Sequence, residues 1–334
     1  MQIVELTRMN GAALEPLLHE QAECWDRVLH WDYAGSAQMI REYIDSRQLA
    51  GFAVLEAGRV VGYAFLAFDE RRGQIGSLFV SSQGLTAMER RRIEIELAHR
   101  CIETLQSMSE VREIEAQFPA HPGGTFVHNL QLRDLQRHCR RMMSCTVEGL
   151  AAKAAPRTLP EEFEVRNWSD LDYQPAARLI ASAYMGHADN MLGGRYRTAS
   201  RVQGYLERAT RFAGCGVFDA ASSCVVVHRA SGELAGLLLA AFLRPDVGHI
   251  VQVCSEPAVR RMGLGRALVH HAAERMSARG AREVTLAVGE ANFGAIAFLE
   301  EAGFRTFHSY DVFTWERCPA HVSLYAQSGA GCIA

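Results

Sequence analysis

Apolar positions along this chain follow two rhythms, and the switches between them mark the elements. Short runs rich in β-branched and aromatic residues predict strands over residues 2–6, 52–56, 60–68, 75–80, 111–118 and 139–147. Apolar residues three to four apart predict helices over 12–19, 35–47 and 86–108, the last keeping Ile93, Leu97, Cys101 and Leu105 on one face. Residues 150–162, with Lys153, Pro156 and Pro160, carry no apolar period and read as a linker. The same order then restarts. Strand 163–167 leads to helices 174–184 and 201–212, then a hairpin of 224–227 with 234–242. Strand 249–254, a helix from Gly265 to Gly280, strand 282–288, a helix from Asn292 to Gly303 and a closing strand 306–315 complete it.

The restart is visible in residues as well as in order. The run from Gly58 through Gly62 to Phe68 parallels that from Gly232 through Gly236 to Phe242. A strand-turn-strand unit repeated at long period predicts two similar domains in tandem. They span 1–150 and 163–318, joined by a linker at 151–162, with a small, polar tail at 319–334 that is expected to fray. Each is expected to be α/β, a twisted mixed sheet flanked by helices.

Composition narrows the class. At 334 residues, 49% apolar and 22% charged, the chain suits a soluble globular protein with a substantial core in each half. A formal net charge of −3 gives no general attraction to nucleic acid or membrane. No apolar run approaches the length of a membrane helix, and the first residues, with Glu5 in an alternating pattern, do not form a signal peptide. Nine scattered cysteines without a C-x-x-C predict reduced thiols and a cytoplasmic protein without structural zinc. The adjacent His270 and His271 point in different directions on a helix, so no metal is expected. Oligomeric state stays open.

Candidate chemistry concentrates at Arg260, Arg261, Met262, Gly263, Leu264, Gly265 and Arg266, between the strand 249–254 and a helix. Glycines there let backbone approach a ligand, and the first helical N–H groups have no internal partners. With the helix dipole and the arginines they make a site for phosphate or pyrophosphate. A Rossmann fingerprint would need a third glycine where Leu268 stands, and a Walker loop would need Gly-Lys-Ser/Thr. Both nucleotide readings lose.

What the stretch resembles is the acetyl-CoA motif of the GNAT (GCN5-related N-acetyltransferase) superfamily, Arg/Gln-x-x-Gly-x-Gly/Ala, here Arg260-x-x-Gly263-x-Gly265. The helix from Asn292, through Ala295, to Gly303-Phe304 is similar to the one that follows in that family. The resemblance implies acetyl transfer from acetyl-CoA to the amine of a small molecule or peptide. It implies cofactor contacts at the backbone of Val253, Cys254 and Ser255, at residues 262–266, and at Asn292 and Ala295. The family's tyrosine position, counted back from Gly303, holds Leu299, so the thiolate leaves unaided or Tyr310 or Ser309 substitutes. Many relatives carry a Glu on the strand where this chain has Val251 and Gln252; His249 and Glu256 are the nearby bases. Tyr184, His187, Tyr196 and Gln252 are expected on the acceptor side.

In the first half, residues 78–80 lead into Gly84, Leu85, Thr86, Ala87, Met88 and Glu89. Neither loop glycine is present and Glu89 opposes phosphate. The first half thus resembles a degenerate GNAT domain that packs against the second and shapes its acceptor cleft. The rival class is an acyl-CoA sensor without catalysis, motivated by Leu299 and the missing strand Glu.

Overall fold

The computed structural model describes residues 1–69, 71–131, 133–154, 159–186, 194, 196–211 and 216–317. The first half runs β1 (Gln2–Glu5), α1 (Gly11–Leu29), α2 (Ala34–Asp45), β2 (Ala50–Glu56), β3 (Arg59–Asp69) and β4 (Arg72–Val80). It continues through α3 (Ala87–Ser107), β5 (Glu113–Gln117), α4 (Val127–Gln131), β6 (Gln136–Thr146) and α5 (Val147–Lys153). The second half begins β7 (Phe163–Asn167), α6 (Tyr173–Ala183), α7 (Ala199–Arg211), β8 (Val217–Phe218), β9 (Cys224–His228) and β10 (Leu234–Arg244). Then come β11 (Val247–Ser255), α8 (Leu264–Ala278), β12 (Glu283–Gly289), α9 (Phe293–Ala302) and β13 (Arg305–Glu316).

Among the described residues the strands join one mixed sheet, ordered β1-β2-β3-β4-β5-β13-β6-β12-β11-β10-β9-β7, with β8 beside β10. The closing strands of the two halves have changed places. β6 pairs antiparallel with β12 of the second half, and β13 pairs antiparallel with β5 of the first. β6 and β13 also pair with each other and form the seam. Helices cover both faces, α1 and α2 over one apolar cluster of the first half and α3 over another. The second half repeats this with α6 and α7 on one face and α5, α8 and α9 on the other.

The register repeats too. β4 runs parallel to β5 only where residues 72–75 face 113–116, and β11 runs parallel to β12 only where 247–250 face 283–286. Beyond those points each pair splays. The second splay is the one that positions the site.

Element boundaries moved where a polar residue broke the period. α1 runs to Leu29, well past the predicted 12–19, because buried Gln21 interrupts the apolar face. Its amide donates to Ser77 Oγ at 2.8 Å and its Oε1 accepts from Tyr63 at 2.5 Å, so the side chain is satisfied inside the core. The expected linker opens with α5, too short to show a period, capped by Thr146 and anchored by buried Val147 and Leu150. The tail at 319–334 lies outside the described residues.

Candidate active site

Along its length β11 holds to β10, but a bulge between Leu239 and Ala240 leaves Val251 as the extra residue. On its other side no described strand pairs with residues 251–255. Val253, Cys254 and Ser255 therefore present backbone donors and acceptors along an open edge. Val253 packs toward the α8 face and Cys254 toward the α6–α7 face, the alternation a strand imposes.

The chain leaves β11 through Glu256 and a short turn at Pro257–Val259 to reach α8. Arg261 and Gly263 take positive φ, 67° and 92°, and Gly263 is the N-cap. A Cβ added at Gly263 would meet nothing within 4 Å, so the space above the helix start is open. No side chain caps α8, which leaves its first N–H groups for a ligand. Leu264 is buried and anchors the turn, whereas Met262 is exposed. The arginines split in role. Arg260 donates to Ala183 O at 2.9 Å and Arg266 to Lys153 O at 2.6 Å and to Glu301, tying the loop to α6, α5 and α9. Arg261 stays exposed.

α3 begins differently. Its N-cap Thr86 and Glu89 form a capping box, so side chains already occupy the donors that α8 leaves open. Glu89 also sits where an anion would have to come.

Beneath the splay lies a cavity of about 550 Å³ walled by both halves. Tyr184 and Tyr196 stack with ring centroids 4.2 Å apart. Gln252 donates to the Tyr184 hydroxyl at 2.8 Å and accepts from that of Tyr196 at 3.3 Å. The structure thus gathers three of the four expected acceptor-side residues; His187 lies outside the described residues. His249 lines the same cavity, its Nδ1 2.9 Å from Thr285 Oγ1. Burial, with the Arg140 guanidinium adding to it, pushes its pKa down to about 4, so the ring is neutral near pH 7. Tyr310, Leu299, Asn292 and Ala295 also line the cavity. Asn292 accepts from Ala295 N–H at 3.1 Å and caps α9, while Gly303 ends that helix at φ 107°.

Glu256 is not brought to the others. It stands at the turn before Pro257, its carboxylate 3.8 Å from His228, away from the cavity wall. The sequence reading missed Trp25, Trp31 and Arg140, which the first half contributes to this wall. Trp31 faces His249 with ring centroids 6.2 Å apart, and Arg140 donates to Ala287 O at 3.0 Å in the mouth of the splay. The two tryptophans are aromatic enough to have drawn notice, but the predicted helix stopped short of them. Among the described residues no group of His, Cys, Asp or Glu has the arrangement of a metal site, and no helix is long and apolar enough to cross a membrane.

Residues 194–304 match the sequence model of the Acetyltransferase (GNAT) family. No curated protein sequence matches the chain. Among solved structures it is similar to a GCN5-related N-acetyltransferase from Sphaerobacter thermophilus, at TM-score 0.65 and 16% identity over 94% of this chain and 95% of that one. It is also similar to a tandem GNAT protein from the clavulanic acid biosynthesis pathway, at TM-score 0.59 and 15% identity over 96% and 99% of the two chains. A third match is the glucosamine N-acetyltransferase region of a fungal multi-domain β-N-acetylglucosaminidase, at TM-score 0.60 and 14% identity over 94% of this chain and 38% of that one. At these identities the likeness is one of fold.

Proposed function

We propose that this chain, whose residues 194–304 match the GNAT family model and whose fold is similar to that of a tandem GNAT protein, is an N-acetyltransferase that uses acetyl-CoA and acts on the amine of a small molecule or peptide. The cofactor is assigned to the second half alone, residues 163–318. The observation that carries the reading is the splay of β11 from β12 running straight into the uncapped start of α8. An unpaired strand edge suits an extended pantetheine arm, and free helical N–H groups suit its pyrophosphate.

When bound, acetyl-CoA supplies a thioester carbonyl as acyl donor. Residues 251–255 hold and orient the donor by backbone hydrogen bonds, and the stacked Tyr184 and Tyr196 with Gln252 wall the acceptor side. His249, in the cavity wall, is assigned to take a proton from the acceptor ammonium. With a pKa of about 4 it is a weak base, acting on an amine already made more acidic by burial. Tyr310, whose hydroxyl lies in the cavity wall, is assigned to give a proton to the departing thiolate, because Leu299 has none to give. Residues 1–150 serve as the other wall of the acceptor cleft.

The buried Leu299 of α9, which lines the same cavity, also favours a second reading, an acyl-CoA sensor without turnover. Calorimetry with acetyl-CoA, followed by thiol release across an amine panel, separates them. One site per chain with acceptor-dependent thiol release supports the enzyme, one site without turnover on any amine favours the sensor, and no binding overturns both.

A further inference from the structure

The first half keeps a cleft of its own. Between α1, the end of β4, the start of α3 and the loop after β5 lies a cavity of about 430 Å³, far larger than one water. Glu94 of α3 lines it, with only 9% of its side chain exposed. A buried carboxylate normally takes several hydrogen bonds. Among the described residues none reaches Glu94. Its neighbours stand back: His121 Nε2 at 3.5 Å from Oε1, Arg90 Nε at 3.8 Å from Oε1 and Arg91 Nη1 at 3.8 Å from Oε2. Arg91 Nη1 is itself buried without a hydrogen-bond partner, its guanidinium held over the Phe126 ring at 5.1 Å. A donor and an acceptor of opposite charge thus face each other across a gap too wide for a hydrogen bond, beside open volume. The pairs are in ion-pair contact only, and the open volume beside them admits a polar atom within reach of both charges.

The chemistry of that atom's owner follows from the wall. Something must donate to Glu94 and something must accept from Arg91. Two arginines against one carboxylate leave one positive charge, which suits a single anionic group on the ligand. A phosphoanhydride is disfavoured, because the capping box closes the start of α3 and brings Glu89 to it. We propose that the first half's cleft is a second binding site, for a small carboxylate bearing a hydrogen-bond donor, an amino or hydroxy acid. Its donor group meets Glu94 and its carboxylate meets Arg91 and Arg90. The site is separate from the proposed cofactor and acceptor sites and stands whether or not those assignments hold.

The test uses the full chain, with calorimetry and thermal shift against the twenty standard amino acids, glycolate, lactate and malate. At least one probe is expected to bind one site with a millimolar or tighter Kd. Glu94→Gln and Arg91→Met should each weaken it about tenfold or more, while acetate and ethylamine, which carry one group each, bind more weakly by a similar factor. Cys24 also lines the cleft, so the bound probe should slow its alkylation as followed by peptide mass spectrometry. Arg91, one-third exposed, keeps the test open if Glu94→Gln unfolds. Binding that survives both substitutions, or leaves Cys24 unprotected, belongs to the other cavity and overturns the proposal. So does the absence of binding by every probe.

Discussion

His249 should make the folded chain sensitive to acid. The ring is buried beside Arg140, with a pKa of about 4 in the folded chain against 6.5 as the unperturbed value. Because the folded value is the lower one, the unfolded chain binds a proton that the folded chain refuses between those two pH values. Stability is therefore lost as pH falls from above 6.5 toward 4. The full difference corresponds to about 3 kcal/mol, of which about 2 kcal/mol is lost by pH 5. The half-buried His271 and His308 also have lowered values, so wild type alone cannot isolate the effect. Comparison with His249→Asn can, since the other histidines titrate in both proteins. Urea or thermal unfolding at pH 7.5 and pH 5 should show the stability gap between wild type and variant move in the variant's favour by about 2 kcal/mol. A gap that stays constant between the two pH values would mean that His249 titrates as a solvated ring, and the buried cavity geometry would be wrong.

Gly263→Asp places a carboxylate where nothing lies within 4 Å, so the fold should lose only about 1–2 kcal/mol to the positive φ while acetyl-CoA affinity falls about 100-fold or more; undiminished affinity by calorimetry would remove the assigned pyrophosphate site. Tyr310→Phe should lower kcat on the order of 100-fold with unchanged acetyl-CoA Kd if its hydroxyl protonates the thiolate, and an unchanged kcat in a thiol-release assay would dismiss that role. Substitutions at Met88 or Arg90 in the first half should leave acetyl-CoA affinity unchanged, and a clear loss would place a cofactor in the first half after all.

The fold was legible where local rules and burial agree. Gly263, Asn292 and Gly303 announce a loop, an N-cap and a C-cap from identity alone, and the backbone at these positions takes those forms, whereas Gly265, expected in the loop, already lies in α8. Gln21 was illegible because its partners, Ser77 and Tyr63, come from distant strands. Trp31 and Arg140 were illegible for the same reason. Each is placed by contacts across the two halves, Trp31 against His249 and Arg140 against Ala287, and no local pattern encodes such a partner. The low pKa of His249 likewise depends on burial that only the assembled halves supply. Arg266 was read as a phosphate group's counter-charge from its place in the motif, yet its guanidinium turns to Lys153 and Glu301.

The exchanged strands carry a consequence for how the chain can be cut. Cutting in the predicted linker severs no strand, yet β6 stays with the first half while β12, its partner along residues 283–289, goes with the second. β13 in turn loses both β5 and β6. A fragment 159–317 would expose one edge of β12 and both edges of β13, and leave Val284 and Leu286, now buried, without the strand that covers them. It should be aggregated or partly unfolded and bind no acetyl-CoA. A fragment 134–317 restores β6 and α5, so β12 and β13 are joined again across the seam and only the β5 side of β13 is bare. It should be more soluble, melt cooperatively and regain acetyl-CoA affinity, while the acceptor wall of Trp25 and Trp31 is missing and turnover stays lost. Gel filtration, circular dichroism and calorimetry read each step. If 159–317 proves a monomer with the affinity of the whole chain, the strand exchange contributes nothing to the second half, and the reason for keeping a half without a cofactor loop must be sought in its own cleft.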